Sequence, residues 1–325
     1  MTHTAQAATL GHDQSIQVPP FCLGVMAFGT TTDEETGFAV LDRYRELGGT
    51  FVDTSNNYSF WITGSQGGES EEALGRWLAS RGCRDEMVIG TKVGARPTVP
   101  GAGLESVEGL SGGVIEREVE ESLRRLGTDH VDVYYAHVED RSVPLEETVA
   151  AFGACVTRGK VRAVGASNHR TWRVERARTL AAQAGVPGWS LIQQRYSYLQ
   201  PRHDVPLPNG GHTLVTDETL DYVRTEGLGL VAYTPLLMGS YVREDVPLAE
   251  AYDHPGTPRR LTAVRAVAAE LGATPNQVVL AWLLGHDPQV IPLVGVSSVA
   301  QLDENFAALG LELDDEHRKR LDEAR

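Results

Sequence analysis

VDVYYAHV, Val131–Val138, is a β-branched and aromatic run ending on a histidine and a valine, and helical patterns lie on both sides of it. Before it comes VIEREVEESLRRL, Val114–Leu126. After it, Leu145, Val149, Phe152 and Val156 recur at steps of four, three and four, the spacing of one helix face. The same strand-then-helix unit repeats outward in both directions. Toward the N-terminus lie strand runs at Leu23–Phe28, Phe51–Thr54 and Met87–Val93, with helical patterns at Glu34–Leu47 and Glu69–Leu78. Toward the C-terminus lie runs at Val161–Ser167, Ser190–Tyr196, Leu228–Thr234 and Val290–Val296. Helical patterns alternate with them at Arg173–Ala184, Thr219–Arg224, Leu261–Leu271 and Asn276–Leu284. Thr274-Pro275 supplies a cap and a first-turn proline for the last of these. Leu302, Phe306 and Leu309 make the stripe of a closing helix.

Eight such units predict a (β/α)8 barrel, the TIM barrel, as a single domain with long loops at its C-terminal face. A doubly wound open sheet is the runner-up. That fold holds a dinucleotide on a glycine-rich first turn, and the sequence contains neither GxGxxG nor a Walker-type loop. The polar opening MTHTAQAATLGHDQS reads as a flexible tail, giving a tail over 1–17 and a barrel domain over 18–325. Without a basic n-region and apolar run there, the expected location is cytoplasmic. A net charge of −15 with no basic patch argues against a nucleic-acid partner, and no apolar run is long enough for a membrane span. The three cysteines, Cys22, Cys83 and Cys155, show no metal-ligand spacing, and no metal is expected.

Barrel chemistry sits at the C-terminal strand ends. There the second strand offers Asp53, with Tyr58 five residues on. The third offers Lys92, the fourth His137, the fifth Ser167 and Asn168, the sixth Gln193 and the seventh Tyr233. Singly, each has a structural explanation as a cap, a snorkelling amine or a packing ring. Together, an aspartate, a lysine, a tyrosine and a histidine at one mouth are costly to bury without a shared purpose. Their chemistry is coherent. Asp53 fixes Lys92, and the ammonium draws down the pKa of the Tyr58 phenol, ordinarily about 10. Tyr58 then trades a proton with an alkoxide. His137 hydrogen-bonds the carbonyl oxygen, polarising and orienting it.

These residues resemble the catalytic tetrad of the aldo-keto reductase superfamily, in order and with the Asp-to-Tyr spacing kept. The likeness runs from LGVMAFG at Leu23 to Phe306. It includes SEEALG at Ser70–Gly75, GASN at Gly165–Asn168, IQQRYS at Ile192–Ser197, VAYTPL at Val231–Leu236 and SSVAQLDEN at Ser297–Asn305. It implies hydride transfer between a nicotinamide cofactor, NADPH first and NADH as the alternative, and a small carbonyl or alcohol substrate. By the resemblance Ser167, Asn168 and Gln193 hold the carboxamide, and Tyr233 stacks on the nicotinamide ring. Thr234, Leu236 and Ser240 line the pyrophosphate. Gly295, Ser297, Ser298, Gln301, Glu304 and Asn305 surround the adenosine end. Ser298 reads equally as a helix cap, and Glu304 and Asn305 as exposed helix residues.

Two departures stand out. Gly295–Gln301 lacks the lysine or arginine that many relatives place there for a 2′-phosphate. SFWITGSQGGE is inserted between Tyr58 and Ser70, and its Phe60 and Trp61 are expected in the substrate wall, with bracing of the longer loop as the other reading. Long loops at Gly94–Gly113, Leu199–Asp217 and Leu237–Arg260 surround the mouth, and their polar content leans toward a sugar or keto-sugar. The resemblance also extends to nucleotide-sensing proteins such as the potassium-channel β subunits, the alternative to an enzyme. A cofactor-free barrel lyase or isomerase is a third reading.

Overall fold

A computed structural model describes residues 7–11, 15–208 and 210–324. An antiparallel hairpin of β1 (Ala8–Leu10) and β2 (Ile16–Val18) comes first. Eight parallel strands then close a barrel: β3 (Cys22–Gly24), β4 (Phe51–Asp53), β5 (Val88–Val93), β6 (Val131–Ala136), β7 (Val161–Ser167), β8 (Leu191–Arg195), β9 (Gly229–Tyr233) and β10 (Val290–Gly295). They run in sequence order, and β10 pairs with β3 to close the ring. This is the (β/α)8 barrel expected from the alternation.

The expected tail is corrected over its described part. Ala8, Leu10, Ile16 and Val18 alternate with Thr9 and Gln17, and the apolar set turns inward. It packs against Cys22, Phe51, Val88, Leu191 and other interior residues near the start of each strand. The hairpin therefore plugs the N-terminal mouth, and the C-terminal mouth is left to hold chemistry. The remaining tail positions lie outside the described residues.

The first barrel strand is shorter than the run that announced it. Val25–Phe28 bends away in a turn, with the Phe28 N–H donating to Val25 O at 3.0 Å. The Thr274-Pro275 signal holds, because Thr274 and Gln277 form a reciprocal capping box at the start of the helix Pro275–Leu284. Among the described residues, two α-helices had no counterpart in the sequence pattern. One is the single turn Phe60–Thr63 in the insertion, and the other is Asp315–Glu323, capped by Asp314. A second, larger core fills the space between the barrel and its helices, with Trp77, Tyr44, Tyr134 and Phe152 fully buried in it. Inside the barrel, Gly165 is required by contact, since a Cβ there would lie 2.6 Å from the Tyr135 ring.

Candidate active site

Asp53 ends β4 and Lys92 lies one residue before the end of β5, so parallel pairing sets their side chains close together at the mouth. Both are fully buried. Three acceptors surround the Lys92 Nζ. It donates to Asp53 Oδ1, to the Thr54 carbonyl oxygen at 2.7 Å and to the Tyr58 hydroxyl at 2.8 Å. The second Asp53 oxygen accepts from Gln193 Nε2 at 2.8 Å, so β8 joins the cluster. His137 follows β6, and its ring stands edge-on to Tyr58, with centroids 6.0 Å apart. Tyr58 and His137 are only half-buried, whereas Asp53 and Lys92 are sealed beneath them.

The electrostatics follow from that layering. Burial alone would push the Lys92 ammonium down, but Asp53 and Tyr58 outweigh it and hold the group above its ordinary value. Burial pushes the Asp53 carboxyl up, against the pull of Lys92 and Gln193. Burial likewise raises the Tyr58 phenol. Lys92 draws it back, but Asp53 repels a tyrosinate, and the net direction is upward. This differs from the expectation of a depressed tyrosine, because burial outweighs the pull of the ammonium and the carboxylate that fixes the lysine cancels part of its field. His137 is held well below its ordinary value by burial and then by Lys92, so the ring is neutral at neutral pH.

Two residues that the sequence reading passed over complete the cluster. Ser55 Oγ donates to Asn57 Oδ1 at 2.7 Å and meets His137 Nδ1 at 3.1 Å. Their signal was the unbroken polar run DTSNNY, read only at its ends. Asn56, beside them, donates to Glu108 Oε1 at 2.8 Å and Glu118 Oε2 at 3.2 Å, and Glu108 also accepts the Gly94 N–H at 2.8 Å.

Burial, then the charge of Glu118, pushes the Glu108 carboxyl up to about 7. Its folded value lies above its unfolded one. The stability it contributes is complete below about 4.5 and is lost as pH rises toward and through 7. Glu108→Gln keeps the Oε1 acceptor and removes that loss. Thermal melts are expected to show the variant level with wild type at pH 5 and a few degrees more stable at pH 8, from roughly 1–3 kcal/mol.

The residues expected around a cofactor lie at or after the ends of the neighbouring strands β7, β8, β9 and β10. Asn168 accepts from the Tyr233 hydroxyl at 2.6 Å and donates to Ser167 Oγ and to the His137 carbonyl oxygen, each at 3.1 Å. His212, from the loop after β8, meets the same Tyr233 hydroxyl at 2.9 Å. After Tyr233 the chain turns sharply, and Thr234, Leu237 and Met238 all have positive φ. A β-branched residue in that region is an outlier of the kind found at binding loops. Ser240 closes this turn, with its N–H and hydroxyl both donating to Leu237 O. Leu236 is half-buried against the core at this turn.

At the far end of the rim Ser298 caps the helix Val299–Phe306 by accepting the Gln301 N–H, so the capping reading of that residue holds. Ser297 donates from its N–H and hydroxyl to Gln301 Oε1. Glu304 accepts from Thr274 and is half-buried, and Asn305 is buried, so neither is an exposed helix residue. Asn305 Oδ1 has no hydrogen-bond partner among the described residues. A Cβ at Gly295 would meet no atom nearer than Gly24 O at 3.8 Å. An unused buried acceptor and open space at the strand end fit the adenosine half of a dinucleotide in chemical kind.

The inserted segment is well anchored. Ser59 donates to Met26 O at 3.1 Å, and Gln66 donates to the carbonyl oxygens of Pro97 and Thr98, each at 2.9 Å. Gly67 has φ +93°, and a Cβ there would stand 2.4 Å from the Asn57 backbone, so only glycine fits. Trp61 is 49% exposed, with its ring 6.3 Å from Tyr58 and 5.0 Å from Phe60.

A parallel barrel with a phenol, an ammonium and an imidazole at its C-terminal mouth is the frame of a carbonyl-reducing oxidoreductase. The chain belongs to the aldo/keto reductase family, whose model matches residues 20–325. It is 33% identical to norsolorinic acid reductase stcV of Emericella nidulans, over 93% of this chain and 76% of that protein. It is also 33% identical to the oxidoreductase YrpG of Bacillus subtilis, over 93% and 90% of the two chains. Identity to aldo-keto reductase yakc of Schizosaccharomyces pombe, whose name carries NADP(+), is 30% over 97% and 90%. The protein is an oxidoreductase that reduces carbonyl groups. Among the described residues, no helix is long and apolar enough to cross a membrane.

Proposed function

We propose that this chain is an NADPH-dependent reductase of carbonyl compounds with a sizeable apolar body, in which Tyr58 is the general acid. The observation that carries the reading is the Lys92 Nζ contact to the Tyr58 hydroxyl at 2.8 Å, with Asp53 closing the pair from below. A bound reduced nicotinamide supplies the hydride. Tyr58, protonated at neutral pH because burial raises its value, gives its proton to the developing alkoxide. Lys92 stabilises the phenolate left behind, and His137 orients the substrate. Ser167, Asn168 and Gln193 would hold the carboxamide, Tyr233 would face the nicotinamide ring, and Thr234, Leu236 and Ser240 would line the pyrophosphate. Gly295, Ser297, Ser298, Gln301, Glu304 and Asn305 would take the adenosine. NADPH rather than NADH is favoured by the printed name of one relative and opposed by the missing cation near Gly295–Gln301.

The apolar body is argued from the rim. Met26, Trp61, Ile62, Val99, Leu104, Trp172, Met238 and Val242 are large, apolar and exposed, and all sit on segments that follow barrel strands. Exposed apolar side chains gathered on one face mark a binding surface. They favour an aromatic carbonyl over the sugar or keto-sugar suggested by loop composition, and Phe60 and Trp61 belong to its wall.

Titration of NADPH and NADH by quenching of tryptophan fluorescence, followed by a panel of aromatic, aliphatic and sugar carbonyls, tests this. Tighter NADPH binding and faster reduction of 4-nitrobenzaldehyde than of aldoses are expected. Nucleotide binding with no turnover across the panel would transfer the case to a sensor. Absence of nucleotide binding would sink both readings.

A further inference from the structure

Tyr233 lies across the barrel mouth. It ends β9 with its side chain on the same strand face as Val231, which belongs to the barrel interior. Its hydroxyl gives its proton to Asn168 Oδ1 at 2.6 Å, just past the end of β7. β8 runs between those two strands, so the phenol and the amide together span two strand spacings, about 10 Å. The ring therefore crosses the end of β8, opposite its register partner Arg195. In an eight-strand ring β8 is the wall opposite β4, the strand that leads to Tyr58.

The hydroxyl is bracketed from two sides, and each bracket is itself fixed. The Asn168 amide points its Nδ2 at the His137 carbonyl oxygen and Ser167 Oγ, which turns Oδ1 toward Tyr233, where it also accepts the Thr213 N–H at 3.3 Å. On the other side His212, half-buried, sets its Nδ1 2.9 Å from the hydroxyl, with the two ring centroids 5.9 Å apart. His212 Nε2 meets the Pro208 carbonyl oxygen at 3.1 Å. The chain just after it is stitched to β8, because Arg195 donates its N–H to Thr213 O and Val215 donates its own to Arg195 O, each at 3.0 Å. A ring held at its Cα by a strand and at its hydroxyl by two partners keeps one rotamer. The Pro208 contact and the backbone pairing anchor this loop without the phenol, so the grip of His212 on the ring is a separate function.

We infer that His212 is a positioning residue for the nicotinamide end of the dinucleotide. It acts through Tyr233, by fixing a flat aromatic face on the wall opposite Tyr58, and a planar pyridine ring stacks best on a face that does not have to be ordered first. The loop after β8 thereby contributes to nucleotide affinity. The inference rests on the reductase reading above, which supplies the nucleotide.

A double-mutant cycle on the full chain tests it, with NADPH affinity read by quenching of tryptophan fluorescence. His212→Ala is expected to weaken NADPH binding by about fivefold, the scale of one hydrogen bond. In a Tyr233→Phe background the hydroxyl is already gone, and there His212→Ala is expected to change affinity by less than about twofold. His212→Asn, whose side-chain amide reaches the place of Nδ1, is expected to recover most of the loss. Adenosine 2′,5′-bisphosphate, which has no nicotinamide, is expected to bind wild type and His212→Ala alike in calorimetry. A mere loop anchor would weaken both ligands together, and would weaken NADPH equally in the Tyr233→Phe background. Either of those results overturns the inference, as does an unchanged NADPH affinity in His212→Ala. A wild type that binds no nucleotide at all overturns the reductase reading itself, and this inference with it.

Discussion

Tyr58→Phe is expected to lower kcat for carbonyl reduction by about a hundred- to ten-thousand-fold, the scale of lost general acid catalysis. Nucleotide affinity is expected to stay within about twofold by fluorescence titration, because the substitution removes one oxygen and keeps the ring. The Lys92 and Asp53 pair remains intact in the variant. An equal loss of nucleotide binding would show instead that the hydroxyl holds the site together. The pH profile of the wild-type reaction carries the same assignment. The phenol must be protonated to act, and its value is raised, so the rate is lost only as pH climbs past the ordinary tyrosine range of about 10. No inflection is expected near 6.5, because His137 is held well below that value.

Lys92→Met is expected to be the most destabilising single change at the mouth, by about 3–5 kcal/mol in urea unfolding. Asp53 is fully buried, and with the ammonium gone only Gln193 still donates to it among the described residues. The uncompensated carboxylate would take up a proton. The variant's deficit is therefore expected to shrink as pH falls, since a raised folded value adds stability on the acid side. A double variant, Lys92→Met with Asp53→Leu, removes the stranded charge and is expected to recover much of the lost stability while remaining inactive. If the double variant is no more stable than the single one, the damage comes from packing around the lysine stem rather than from the charge.

Much of this architecture was legible in the amino-acid order. Eight β-branched runs separated by helical periodicity announced the barrel, and the strand ends announced Asp53, Lys92 and His137 because parallel strands bring equivalent ends to one mouth. The N-terminal hairpin was missed. Its four apolar positions are spread thinly through a polar stretch, and a period of two over three residues is too short to read without the barrel bottom that buries it. The exposed apolar rim was missed for a related reason. Trp61 was expected in the substrate wall, but Met26, Trp172 and Met238 are far apart along the chain, and only closure of the barrel brings the segments that follow its strands to one end.

The direction of the Tyr58 shift shows where sequence reasoning stops. Residue types gave the partners, and with them the sign of each pairwise influence. The net result depends on the depth of burial and on how near Asp53 stands to the phenol, which are three-dimensional quantities. The same holds for Ser55 and Asn57. Their neighbours in the chain do not say which way an amide faces, and only the Ala95 carbonyl, brought over by the loop after β5, decides it. Local periodicity and strand-end position thus determined the fold and the participants from the sequence alone. Proton placement, charge balance and the surface offered to substrate were decided by tertiary structure, because they depend on distances between segments that the linear order does not contain.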